Sequence, residues 1–198
     1  KKNGKGEEMM NIFGLGPRRY QVKRDWLQLP SGKALHNLSA ITNDNQGRIY
    51  VLQRSQPFML VFSYEGELID EWFNDTVMDG HYVRATKDGR ICVADRNNHR
   101  IVIFNRSGEI VQMIGQEKNH PGDFGVPFNH PTDCTVNDKG EFFVSDGYGN
   151  FHVHHLNAAG ELIRSWGGPG QGPGQFTTPH SVLVDRTGRV LVADRENN

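Results

Sequence analysis

The sequence predicts an all-β fold built from repeated units, and three observations support this class. A turn closed by glycine is followed by an apolar run four times, at intervals of roughly 45 residues, with the turns at Gly47, Gly89, Gly140 and Gly188. Within each unit, further turn signals separate alternating or wholly apolar runs of strand length. No segment keeps the 3.6-residue periodicity of an amphipathic helix over a useful length. Helix is therefore expected to be a minor component.

The internal order of each unit predicts four short strands. The repeated phrase supplies one strand, another precedes its glycine, and two more follow it, as at residues 100–104 and 108–114. Four antiparallel strands in a unit of this length are typical of one blade of a β-propeller. We therefore expect a single propeller domain over residues 19–198, after a polar tail at 1–18.

The units divide the chain into blades at roughly 36–75, 78–116, 127–168 and 176–198. The fourth unit ends after its Asp-Arg phrase, so we expect about three full blades and part of a fourth. Because closure of a ring removes exposed sheet edges, we expect missing C-terminal blades or a second chain to complete the propeller.

Composition excludes several classes of protein. With 22 Lys and Arg against 23 Asp and Glu, the formal net charge is −1, which lacks the basic character that non-specific nucleic-acid binding requires. No apolar run reaches about 18 residues, so no membrane span is expected. The first residues are charged and do not resemble a signal peptide. The compartment stays open, and cytoplasm or periplasm would suit a bacterial protein.

Three local features have structural interpretations. Cys92 and Cys134 lie in different units and are expected to be buried free thiols. Residues 20–26 read as a lone strand, which we expect to pair with a blade. A cluster of histidines resembles a metal site but is expected on the surface of an outer strand, where alternation separates its members: His152, His154 and His155.

Several motifs resemble those of a known family. Residues 89–101 follow the pattern of the NHL repeat, with Gly-Arg-Ile-Cys-Val-Ala-Asp-Arg-Asn-Asn-His-Arg-Ile. Residues 145–150 (Ser-Asp-Gly-Tyr-Gly-Asn) and 174–180 (Gly-Gln-Phe-Thr-Thr-Pro-His) resemble the peptidyl-α-hydroxyglycine α-amidating lyase family and its bacterial relatives. The resemblance covers about residues 20–198. Gly149 replaces a cysteine of the secreted animal enzymes, which favours a bacterial-type member.

The resemblance implies a fold, an activity and a metal site. Members of this family are six-bladed propellers with a zinc ion held by three histidines in the central channel and a calcium ion nearby on the axis. They cleave the C–N bond of a peptide ending in α-hydroxyglycine, which yields the peptide amide and glyoxylate. We therefore expect a zinc-dependent, lyase-like enzyme that takes a peptide or small-molecule substrate into its channel.

The family's functional residues map onto this chain as follows. The zinc ligands match His81 and His180, with the third histidine expected beyond Asn198. The surroundings of His81 depart from the family's Pro-His-Gly. The calcium ligands match the main-chain carbonyls of Ile41 and Val83, and the catalytic groups match Tyr148, Arg54 and Arg195.

The chemistry of these residue types suits the implied reaction. Neutral imidazoles from separate blades fit zinc, which prefers nitrogen ligands and can keep one coordination position open. Arg54 and Arg195 could bind the carboxylate of the product by bidentate hydrogen bonds. Tyr148 beside these cations could act as the base toward the substrate hydroxyl. In addition, His130 and Asp133 precede the third blade and are expected at the channel mouth, as substrate or second-layer contacts.

Each assignment has a structural alternative. His180 could satisfy a backbone carbonyl between blades, and Arg195 shares its repeat position with Arg96, where Asp-Arg is commonly a structural pair. Because one fold hosts many functions, a non-catalytic NHL scaffold or another metal-dependent propeller hydrolase or lyase remains a rival. The lyase hypothesis predicts that His81 and His180 face one channel within roughly 3–5 Å, whereas the scaffold hypothesis predicts that they lie far apart.

Overall fold

A computed structural model describes residues 12–14, 16–115 and 123–197 of the chain. Most of the expected tail at 1–18, His120 and Asn198 lie outside these ranges. The described residues form three four-stranded antiparallel sheets, one two-stranded sheet that follows them, and a small N-terminal hairpin. The helix found within these ranges is a single 3-10 turn at Arg96–Asn98, and none of them holds a helix of membrane-spanning length and apolarity.

Each four-stranded sheet has the order of a propeller blade, with its strands paired in sequence. Blade 1 consists of β3 (Leu38–Asn43), β4 (Arg48–Gln53), β5 (Met59–Ser63) and β6 (Leu68–Trp72). Blade 2 consists of β7 (Gly80–Ala85), β8 (Ile91–Asp95), β9 (Arg100–Phe104) and β10 (Ile110–Gly115). Blade 3 consists of β11 (Asp133–Val136), β12 (Phe142–Asp146), β13 (His152–Leu156) and β14 (Leu162–Gly167). Blade 4 shows β15 (Pro179–Val184) and β16 (Val190–Asp194).

The first strand of each blade contacts the first strand of the next, in the order β3, β7, β11 and β15. These four strands therefore form the inner layer of the array, and the surface that they line is called the channel surface below. The predicted all-β, repeated architecture is confirmed.

Apolar packing lies between blades, and the sheets of blades 2 and 3 are covered on both faces by neighbouring blades. One core cluster joins blades 1 and 2 through residues such as Tyr50, Met59 and Phe104. A second joins blades 2 and 3, and a third joins blades 3 and 4. This sandwiching explains why β8 and β9 are buried along their whole length.

In blades 2, 3 and 4, the aspartate that ends the repeated phrase ties the blade to the loop before it. The fully buried Asp95 accepts hydrogen bonds from the backbone N–H groups of Met78 and Asp79, and from the side chains of Asn98 and Arg100. Asp146 and Asp194 repeat this pattern in blades 3 and 4, each with an asparagine partner. Because the loop and the blade end share one carboxylate, the residue after each aspartate has a fixed position.

The expectation for His154 is wrong. This side chain is fully buried, and its ring bridges the Asp146 carboxylate at 3.1 Å and the Ser165 hydroxyl at 2.8 Å. The third strand of a blade is covered on both faces, so the alternation of β13 does not create a solvent face. His155 is also engaged, because it stacks on Phe143 with ring centroids 4.2 Å apart.

The expectation for residues 20–26 is also wrong. Tyr20–Gln21 form a strand of two residues (β2) that pairs with Ile12–Phe13 (β1) and not with a blade. Within this range the contact with blade 1 is made by Trp26, whose indole N–H donates to the carbonyl of Tyr64 without forming a strand pair. Leu27, Leu29 and Leu35 join Trp26 in covering the outer apolar face of blade 1.

The two cysteines are buried and free, as predicted. They belong to the cluster between blades 2 and 3. A hydrogen bond with Cys92, together with burial, raises the pKa of the Cys134 thiol well above its ordinary value. Both thiols therefore serve as apolar packing.

Two glycines with the same backbone conformation allow a stability prediction. Gly66 and Gly47 have φ of 93° and 97°, but a Cβ at Gly66 would lie 1.8 Å from the Trp26 carbonyl oxygen, whereas nothing lies within 4 Å at Gly47. Gly47→Ala should lower the free energy of unfolding by about 1 kcal/mol through the backbone alone. Gly66→Ala should lower it by about 1–3 kcal/mol more. Urea unfolding of both variants checks this, and equal effects would contradict it.

Candidate functional site

A β-bulge aims one side chain in three of the four inner strands, β3, β7 and β15. In β7, Gly80 pairs with Asp95 and Tyr82 with Ala94, so His81 is the extra residue. His180 is the extra residue of β15 in the same way, and Ser39 is that of β3. A bulged residue is released from the ladder and its side chain can be redirected. The local sequence therefore presents one side chain per bulge at equivalent places in separate blades.

Side chains at this position connect each blade to the next. The Ser39 hydroxyl donates to the His81 carbonyl at 2.8 Å. His81 Nδ1 donates to the carbonyl of Thr132 at 2.8 Å, and the Thr132 hydroxyl lies 2.8 Å from the carbonyl of Pro179. Because a carbonyl only accepts, Nδ1 of His81 carries the proton, and in the neutral ring Nε2 is left as a lone-pair donor.

Two histidines meet at one tyrosine hydroxyl. Nε2 of His81 lies 3.1 Å from the Tyr148 hydroxyl oxygen, and Nε2 of His180 lies 2.9 Å from the same atom. The two imidazole centroids are 4.9 Å apart. Three residues from blades 2, 3 and 4 are thus gathered within hydrogen-bonding distance, and all three were predicted as site residues from the sequence.

The surroundings favour neutral imidazoles. Burial lowers the pKa of His81 to about 4, and the positive charges nearby act in the same direction. Burial and then Arg195 lower the pKa of His180 below its ordinary value. Both rings are therefore uncharged at neutral pH, which is the form that binds a metal ion.

The two imidazoles and the tyrosine hydroxyl are compatible with a hydrogen-bond network and also with part of a metal ligand set. The Tyr148 hydroxyl can donate its proton to Nε2 of His81 and accept a hydrogen bond from a protonated Nε2 of His180, so hydrogen bonds alone can satisfy both contacts. The N–H of His81 is meanwhile directed to a backbone carbonyl, which is the second-layer contact that usually orients a metal-binding histidine. Within the described ranges, no group of three or more His, Cys, Asp or Glu side chains suits a metal ion. His81 and His180 would therefore supply part of a ligand set.

Arginines surround the tyrosine. Arg195 Nη1 lies 3.3 Å from the Tyr148 hydroxyl, and its guanidinium carbon is 5.5 Å from the ring centroid. The guanidinium carbon of Arg96 is 5.4 Å from the same centroid. Arg54 Nε contacts Asp79 at 3.1 Å, and Arg96 also contacts that carboxylate.

Arg96 and Asp79 were missed as site residues in the sequence analysis. Arg96 served there only as a reason to doubt Arg195, because both follow the aspartate of their repeat. The structure places both arginines beside Tyr148. The shared repeat position was in fact a signal that pointed to both residues.

Of the remaining predicted residues, Asp133 begins the inner strand β11 and His130 lies in the loop before it. Asp133 is fully buried and accepts hydrogen bonds from Arg84, the Ser181 hydroxyl and the Val182 N–H, so it positions the strand that carries His180. Its carboxylate has no exposed surface to offer a substrate. His130 contacts Asn129 and packs edge-on against His99, with ring centroids 4.3 Å apart.

The two residues expected to bind calcium occupy matching positions in adjacent inner strands. Ile41 is the fourth residue of β3 and Val83 is the fourth residue of β7. They pair with Val51 and Val93, respectively, at the same register.

The four-stranded blades, together with the aspartate that blades 2, 3 and 4 share, define a protein of the β-propeller class. Residues 81–104 match the family model of the NHL repeat, a segment that includes His81, Asp95 and Arg96. The chain therefore carries an NHL repeat on a propeller-type fold.

Relatives by sequence include proteins of two kinds. The chain is 34% identical over 163 residues to NHL repeat-containing protein 3 of Mus musculus, which covers 76% of this chain and 47% of the relative. It is 33% identical over 141 residues to the probable peptidyl-alpha-hydroxyglycine alpha-amidating lyase pgal-1 of Caenorhabditis elegans. This alignment covers 69% of this chain and 40% of the relative. The chain thus spans about half the length, or less, of these two relatives.

Solved structures support the fold alone. A streptogramin B lyase structure superposes with a TM-score of 0.64 at 13% sequence identity, over 82% of this chain and 49% of that chain. At this identity the similarity establishes the propeller-like architecture and carries no information on substrate.

Proposed function

We propose that this chain contributes part of the active site of a zinc-dependent lyase that cleaves the C–N bond of a peptidyl-α-hydroxyglycine-type substrate. The observation that carries the proposal is the approach of His81 Nε2 and His180 Nε2 to one atom, the Tyr148 hydroxyl oxygen. Similarity to a probable amidating lyase supports the reaction class.

Zinc would be held by Nε2 of His81 and Nε2 of His180, with a further ligand from outside the described residues. When bound, zinc would acidify the substrate hydroxyl and polarise its oxygen. The bulges of β7 and β15 and the hydrogen bond from His81 to Thr132 orient these ligands before any metal arrives. The carbonyls of Ile41 and Val83 are the proposed calcium ligands, since calcium prefers oxygen.

The chain's own residues account for the proton balance of the reaction. Tyr148 would take the proton of the substrate hydroxyl, whose oxygen then forms the C=O bond of glyoxylate. The electron pair of the breaking C–N bond goes to the amide nitrogen, and Tyr148 would return the proton there. Arg195, which already contacts the Tyr148 hydroxyl, would bind the substrate carboxylate.

Metal content is the first test, measured by elemental analysis on this chain and on the longest form of the protein obtainable. We expect about one zinc per chain in the form that carries the complete ligand set, and loss of that zinc in His180→Ala. His155→Ala is the matched control, because it removes an imidazole from β13 that stacks on Phe143. Zinc retained in His180→Ala would contradict the proposal.

A second candidate is a non-catalytic NHL scaffold, favoured by the longer match to a relative named only for its repeats. Glyoxylate release from a peptidyl-α-hydroxyglycine distinguishes the two. Turnover that disappears with the zinc supports the lyase. A folded protein of the longest form that holds no transition metal and releases no glyoxylate supports the scaffold.

A further inference from the structure

Three blades place an arginine at the same point of the repeat. Arg54, Arg96 and Arg195 each follow the last residue of their blade's second strand, which is β4, β8 or β16. The equivalent residue after β12 in blade 3 is Gly147. The arrangement is therefore a row of arginines around the channel surface, interrupted once.

The interruption makes room for Tyr148. A Cβ at Gly147 would lie 2.3 Å from the carbonyl oxygen of Pro179, so blade 3 cannot carry a side chain there without backbone movement. The next residue, Tyr148, enters the site instead, with Arg96 and Arg195 both near its ring. Arg96 is thus as close to the Tyr148 ring as the arginine that the family resemblance selects.

Asp79 holds two of the arginines. Its carboxylate contacts Arg54 Nε at 3.1 Å and Arg96 Nη2 at 2.5 Å, with 9% of its side chain exposed. Both backbone polar groups of Asp79 are hydrogen-bonded, because its N–H donates to the Asp95 carboxylate and its carbonyl accepts from the N–H of Arg96. Asp79 therefore sets the direction of both guanidinium groups.

The local charge favours an anion. Three guanidinium groups are in contact with two carboxylates, Asp79 and Glu196, and the Glu196 pair is half-exposed and weak. The contacts described for Arg96 engage Nε, through Asn97, and Nη2. Its Nη1 group takes part in neither of these contacts.

We propose that Arg96 is a further substrate-binding residue, which shares with Arg195 the carboxylate of an α-hydroxy or α-oxo acid at Tyr148, and that Asp79 is its positioning residue. The proposal rests on the proposed function for its site but assigns two residues that the family resemblance does not. Arginines from the two blades that flank Tyr148 can bind one carboxylate through N–H groups from both sides, which fixes the orientation of the carboxylate as well as neutralising its charge.

The test is calorimetric titration of the protein with glyoxylate, which needs no turnover. Arg96→Ala should weaken binding about tenfold, the value expected for loss of a charge-assisted hydrogen bond. Arg96→Lys should recover part of this loss, because it keeps the charge and loses the planar fork. In steady-state assays, Arg96→Ala should raise KM more than it lowers kcat.

The control is Arg164→Ala, since Arg164 lies on the outer strand β14 over Trp166. Glyoxylate binding equal to wild type in Arg96→Ala, or an equal loss in Arg164→Ala, would overturn the proposal. Asp79→Asn should weaken glyoxylate binding, because the guanidinium groups lose the carboxylate that positions them. Tighter binding of glyoxylate would show that Asp79 only neutralises their charge, and would overturn its positioning role. Binding that depends on Arg96 in a protein without lyase turnover would reject the proposed reaction and retain this site.

Discussion

Tyr148→Phe is expected to lower kcat for glyoxylate release by about 10²–10⁴-fold, the usual contribution of a positioned acid or base. The variant keeps the ring that packs beside Arg96 and Arg195 and loses only the hydroxyl that His81 and His180 approach. Zinc content and KM should change little, because the metal ligands and the arginines stay in place. Steady-state kinetics and elemental analysis on the same preparation measure kcat, KM and the zinc content.

Tyr64→Phe is the matched control, because Tyr64 is an exposed tyrosine in the turn between β5 and β6. It should leave kcat unchanged. Normal turnover in Tyr148→Phe would remove the tyrosine from the mechanism, while loss of zinc in that variant would show that the hydroxyl acts on the metal site itself.

Asp133→Asn is expected to lower the free energy of unfolding by about 3 kcal/mol, at the lower end for a broken buried ion pair. Burial raises the pKa of the Asp133 carboxyl, and the charge of Arg84, 2.9 Å away, opposes that rise. Because Arg84 keeps some exposure, water can partly solvate it after the substitution, which limits the loss. Urea unfolding with a constant m-value would measure the change.

Asp138→Asn serves as the control for charge alone. Asp138 pairs with Lys87 on the surface, where both side chains are largely exposed, so its removal should not change stability measurably. Equal unfolding midpoints for the two variants would contradict a structural role for Asp133. Since Asp133 also holds Ser181 and Val182 beside His180, the variant should bind zinc more weakly as well.

Much of the architecture could be predicted because the repeat is local. A turn, an apolar strand and a terminal aspartate recur at similar intervals, and each unit can fold one sheet whose faces need neighbours. The N-terminal segment could not be assigned in this way, because its contact with blade 1 depends on Trp26 fitting against Gly66. That fit is a property of two distant surfaces.

The candidate site was predictable only in part. His81, His180 and Tyr148 were selected by resemblance, and the structure brings them together. Arg96 was missed because the repeat assigns it the same position as a structural Asp-Arg pair. Arg96 is distinguished by Gly147 in the next blade and by Tyr148, which follows that glycine. This relation joins two blades, so the sequence of one repeat does not contain it.

The bulge position of the inner strand also bears on how such a channel can change during evolution. Serine, histidine and threonine all occupy it or its equivalent here, and each donates a hydrogen bond to a carbonyl of the following blade. The fold therefore requires only a donor at this place. Histidine donates that hydrogen bond with one ring nitrogen, and its second nitrogen can bind a ligand. Substitution of one residue by histidine can therefore add a ligand-binding atom to the channel and keep the hydrogen bond between blades.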